Sequence, residues 1–159
     1  MASIINATTT GGLVTSADNS GILQLQSGGV TKATISSSGF SYTGAVLQVV
    51  QSVYSGSSVS TASTTLTTTG ISGSITPTSS SSKVLVLVNS NVYQANTGTG
   101  GMYTIYRGST NLAAGTSPSI MGGPYNGAGT VGNTLSMNFL DSPATTSSTT
   151  YTVYFATSG

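Results

Sequence analysis

The sequence has no cysteine, no histidine and no tryptophan, and its only acids are Asp18 and Asp141. Each absence removes a class of chemistry. Ser-His-Asp and Cys-His catalysis both need a side chain that is missing, as do zinc sites built on thiolate or imidazole. Common glycosidases need two carboxylates flanking the scissile bond, whereas Asp18 and Asp141 fall in different modules of the expected layout. No disulfide framework can form. Rigidity must then come from sheet pairing, from oligomerisation, or from both. The expectation is a protein that is not an enzyme and carries no cofactor or metal.

Charge is scarcer still. Lys32, Lys83, Arg107, Asp18 and Asp141 make up the charged 3%, against roughly 25% in ordinary soluble domains. Three scattered cations cannot neutralise a run of phosphates, so nucleic acid is not an expected partner. A polybasic membrane patch is missing for the same reason. A formal net charge of +1 offers little electrostatic protection against self-association, which suits a protein meant to pack against others. Disordered chains combine low hydrophobicity with high net charge. Here charge is near zero and the apolar residues fall in strand-like runs. No apolar stretch approaches the ~20 residues of a membrane-spanning helix. The first ten residues show neither the cationic region nor the apolar run of a secretory signal.

What remains is Ser, Thr and Gly. The first two contribute 57 of the 159 residues and Gly another 21, a balance that favours strands joined by many turns. Residues 1–45 read as an N-terminal arm. Within it Ile22–Gln26 and Val30–Ile35 flank the turn signal Ser27-Gly28-Gly29 and predict a β-hairpin. A lone hairpin is marginal in water, so it should dock, on sister copies, on a particle surface, or as an edge of the main domain. Residues 46–159 read as that domain. Its expected strands are Val46–Tyr54, Thr64–Thr68, Lys83–Tyr93, Met102–Arg107, a short one from Leu112, Asn133–Leu140 and Thr150–Phe155. Val84–Val88 is apolar at every position, as in a strand covered on both faces. Residues 115–130, rich in Gly and Pro, predict a long exposed loop. No segment has helical periodicity. The fold class expected is all-β, an antiparallel β-sandwich of jelly-roll type behind an N-terminal hairpin arm.

Individual residues carry modest signals. Asp18, in Ser16–Gly21, reads as a turn carboxylate bonded to nearby backbone, with calcium as the alternative. Asp141, before Ser142-Pro143, reads as the cap of a strand-ending turn. Arg107 reads as a solvated or aromatic-stacked strand end, with ligand contact as the alternative. Lys83 reads as a guard against edge aggregation. Gly98–Gly101 and Gly122-Gly123 lack the following helix of a phosphate loop. Tyrosine, eight in all, combines a rigid apolar ring with a polar tip and favours interfaces. Tyr93, Tyr103, Tyr106 and Tyr125 fall near expected loop ends. Strand packing and subunit contacts account for them; stacking on a partner or a sugar is the alternative.

Two segments carry a resemblance. Thr15–Gln26 resembles a short element of fibre and particle-surface proteins of tailed bacteriophages that infect cyanobacteria and aquatic bacteria. Phe139–Pro143, followed by Thr149–Phe155, resembles the closing strands of a β-sandwich domain in such proteins. The resemblance implies a homotrimeric structural protein of the virion surface. Its expected partners are further copies of itself, the major capsid protein or other virion proteins, and, in the alternative, a host-surface glycan. Manufacture in the host cytoplasm and release by lysis would fit a durable composition without an export signal. A chain that opens at Met1 with a small arm fits a capsid decoration (cement) protein better than a fibre with a large anchor. A tail or head fibre with carbohydrate-binding loops is the alternative, and Tyr93, Tyr103, Tyr106, Arg107 and Tyr125 are its candidate contacts.

Overall fold

A computed structural model describes residues 20–37, 39–42, 44–115, 120–127 and 129–158. The chain divides into two compact units, Met1–Val49 and Val50–Gly159. Among the described residues there is no helix, and every sheet is open and antiparallel.

In the first unit β1 (Leu23–Ser27), β2 (Val30–Ser36) and β3 (Gly39–Tyr42) form one sheet in that order. The expected hairpin is present, and β3 is an additional strand. Gly28 and Gly29 have φ of 60° and 76°, the left-handed pair that a two-residue type I′ turn requires.

The second unit holds β4 (Thr67–Ile75), β5 (Val84–Gln94), β6 (Gly101–Arg107), β7 (Thr110–Asn111), β8 (Val131–Asp141) and β9 (Thr149–Thr157). A four-stranded sheet runs β4-β9-β6-β7, and β5 pairs with β8 alone. Period-2 alternation sets which side chains turn inward. Tyr103 and Ile105 on β6 and Tyr151, Val153 and Phe155 on β9 share one core with Val84 and Val92 on β5 and Leu135 and Met137 on β8. That layering is consistent with a β-sandwich. Between Thr68 and Ser72 the β4 register against β9 shifts. Gly70, with φ of 81°, takes the bulge, and Thr69 closes it by donating from Oγ1 to the Val153 carbonyl at 2.9 Å.

Several expectations change. Val46–Tyr54 is not a strand; β structure needs a partner as well as propensity, and the segment has none among the described residues. The strand expected at Thr64–Thr68 lies further on, as β4. Leu112–Ala114 is a turn, because β6 hairpins back through Gly108-Ser109 into β7. Val84–Val88 is covered on one face only, since Leu85 and Leu87 remain 59% and 67% exposed. The 115–130 loop is partly folded in. Gly122 bridges to Tyr103, Tyr125 bridges to Gly100, and Asn126 is fully buried. There the Asn126 amide donates to the carbonyls of Gln94 and Gly129, fastening the loop to the end of β5.

Candidate functional site

Cross-strand register builds the first surface. Leu23 pairs with Ile35 and Ile35 with Phe40; Leu25 pairs with Ala33 and Ala33 with Tyr42. Directly paired residues point to the same face of a sheet, so these six side chains form two apolar rows on one side of the arm. The row Gln24–Thr34–Ser41 lies on the other side. Of the six only Ala33 is buried, while Phe40 and Tyr42 are 58% and 55% exposed. The sheet is therefore amphipathic, with its apolar face open.

A second open surface is the outer face of β5 and β8, where Leu85 pairs with Leu140 beside Leu87. All three are exposed. Further along, Asn89 pairs with Ser136, Asn91 with Thr134 and Tyr93 with Gly132. An open depression of about 220 Å³ lies at that end, lined by Asn91, Val92, Tyr93, Gly132, Asn133 and Thr134.

The third is the extended stretch before β4. Val46, Leu47, Val49, Val50, Val53, Tyr54 and Val59 are all exposed. Ser52 donates from its hydroxyl to the Ser72 carbonyl at 2.5 Å, and the Tyr54 ring lies against Gly70. Side chains alone hold this stretch to β4; no backbone–backbone hydrogen bond involves residues 46–62 among those described.

The tyrosines separate into two groups. Tyr103 is buried in the core and sits 6.1 Å from Phe155, ring to ring. Tyr106 stacks on Tyr154 at 4.1 Å. Tyr93 and Tyr125 are 75% and 69% exposed and alone among the four present open rings.

Arg107 is ion-paired rather than a freely solvated strand end. Its guanidinium donates to both oxygens of Asp141, at 2.8 and 2.9 Å, and Asp141 is buried at the end of β8 rather than capping an exposed turn. Tyr151 donates its hydroxyl to the same carboxylate at 2.7 Å. Burial, this bond and the negative charge of Asp141 push the Tyr151 phenol well above its ordinary value, with Arg107 opposing. The carboxylate, held by three hydrogen bonds from two side chains and deprived of solvent, ties β8 to β6 and β9. Lys83 donates to the Ser142 hydroxyl at 2.5 Å, next to that cluster. Among the described residues no three metal-ligating side chains come together. Asp18 lies outside the described residues.

Comparison with family models, with curated proteins and with solved structures finds no match to the chain.

Proposed function

We propose that this chain is a non-enzymatic structural subunit of a tailed-phage particle, working as a homotrimeric capsid decoration protein with a jelly-roll-like main domain. One observation carries the reading: the arm is an amphipathic sheet whose apolar face is open. A three-stranded sheet with one buried side chain has almost no core of its own, and small sheets need a covered face to persist. Contiguous exposed apolar surface of this kind marks an interaction site. Sister arms or a capsid shell would bury it, and cement action would be mechanical, by adding buried surface across the seams between capsomers. The near absence of charge supports the same conclusion, because such a surface costs little to desolvate.

Sedimentation equilibrium of the purified chain tests the assembly, and co-sedimentation with phage capsids lacking decoration tests the placement. A trimeric mass and saturable capsid binding are expected. A stable monomer would overturn the first, and a trimer that ignores capsids would overturn the second.

A second reading draws on the exposed rings of Tyr93 and Tyr125, the first of which lines the polar depression with Asn91, Asn133 and Thr134. Rings with neighbouring amides and hydroxyls are suited to sugar stacking, as a fibre tip would need. Saturable binding on a glycan array, lost in Tyr93→Ala, would favour it over decoration.

A further inference from the structure

Residues 46–62 combine two features that are rarely left together. Among the described residues their backbone takes part in no backbone–backbone hydrogen bond, and the first nine, Val46-Leu-Gln-Val-Val-Gln-Ser-Val-Tyr54, hold five β-branched or aromatic residues, the same share as β4. Ser52 and Tyr54 turn toward β4 of their own chain. By alternation Val53 then faces away from it and is 74% exposed; Leu47 and Val49 are exposed too, at 54% and 83%.

The other half of a pairing is present in the same chain. β5 and β8 form a sheet of only two strands, each 11 residues long with one open edge. Natural edges are defended by charge, proline or bulges. β5 has no residue charged at neutral pH and no proline, and its register with β8 is unbroken from Val84 to Gln94. The outer face beside that edge carries Leu85 and Leu87, the two most exposed leucines of the second unit after Leu140 is set aside.

We propose that Val46–Tyr54 of one copy adds as a third strand to the open edge of β5 in a neighbouring copy. The inference rests on the self-associating reading above and names the surfaces that join. Nine residues of donor fit within the 11-residue acceptor, and the donor's apolar side chains would lie beside Leu85 and Leu87 at the ~5 Å spacing of cross-strand neighbours. The second copy is the occupant because each chain supplies one donor and one acceptor, neither of them charged. Such a head-to-tail contact closes into a ring when the rotation permits, which is how three copies would share it.

The absence of native cysteine makes the test clean. Two populations of full-length chain, one lengthened by a tag, carry Val49→Cys and a single cysteine at 85, 87 or 89 respectively. They are co-assembled, oxidised and run without reducing agent. A mixed-size disulfide band is expected for at least one of those three outward positions, and none for 86 or 88, which face the core. Val49→Asp combined with Val53→Asp should weaken assembly by at least about tenfold, since two charges would enter an apolar contact, while circular dichroism and the melting profile keep their wild-type form. Trimers that give no mixed band at any of the three positions, or that persist undiminished in the double aspartate variant, would overturn the strand addition and leave self-association standing. A wild-type chain that sediments as a monomer would overturn both.

Discussion

Asp141 shows how one residue can look unimportant in sequence and be central in structure. Its partner Arg107 lies 34 positions away on a strand of the other sheet, and Tyr151 approaches from a third strand, so neither partner is visible as a local pattern. Both charges were legible as unusual in a chain with five; their contact was not, because it depends on how two sheets stack. Removing one member of a buried pair leaves the other uncompensated. Asp141→Asn should therefore destabilise the fold by about 2–3 kcal/mol, the Arg107 side chain being 30% exposed and partly rescued by water. Urea denaturation at neutral pH measures it. The phenols make a second prediction. The Tyr151 and Tyr103 phenols are both raised above their ordinary value of about 10, Tyr103 by burial alone. Above pH ~10 the unfolded chain releases these protons while the folded chain keeps them, so the native state binds more protons and stability falls as pH rises. Melting temperature should be flat between about pH 7 and pH 9 and decline above about pH 10. Tyr151→Phe should cost about 1–2 kcal/mol at pH 7, through the lost bond to a carboxylate, and should make the alkaline decline shallower.

Elements were most legible where sequence and surroundings agree. β5, β6, β8 and β9 alternate or run apolar within clear stops, and their cross-strand partners lie in the same chain. The Gly28-Gly29 turn was readable because only glycine takes two successive left-handed residues without cost. Val46–Tyr54 failed as a strand for a physical reason: its pattern describes what it can pair with, not whether the partner belongs to the same chain. The 115–130 region failed differently. Its Gly and Pro content signals irregular backbone, and irregular backbone can still be docked. Gly101 donates its amide to the Pro124 carbonyl at 2.7 Å, and Tyr103 donates to that of Gly122 at 2.8 Å, which seals the loop against β6. The two adjacent glycines in that loop should respond unequally. A Cβ at Gly123 would overlap the Gly101 carbonyl oxygen, whereas one at Gly122 meets nothing within 4 Å. Gly123→Ala should lower stability by roughly 1–3 kcal/mol, as expected where backbone must shift. Gly122→Ala should stay within about 0.5 kcal/mol of wild type. Paired thermal melts of the two variants check this, and equal losses would show that the loop is not held as described.

The molecule as a whole presents surfaces that are open, apolar and almost without charge. The six paired side chains of the arm and the outer leucines of β5 and β8 include none that is charged at neutral pH. Association through such surfaces should therefore respond to salt unlike a charge-steered interface. Raising ionic strength from about 0.01 M to about 1 M shortens the screening length from roughly 30 Å to 3 Å, enough to abolish attraction between surface charges. Here there is almost none to abolish, and the dissociation constant measured by sedimentation should change by less than about threefold in sodium chloride, a difference under 1 kcal/mol. Sodium sulfate should strengthen assembly at the same ionic strength, because an excluded salt favours burial of apolar surface. Dissociation by sodium chloride would mean that the five charges, few as they are, hold the copies together, and the arm's apolar face would lose its role as the contact.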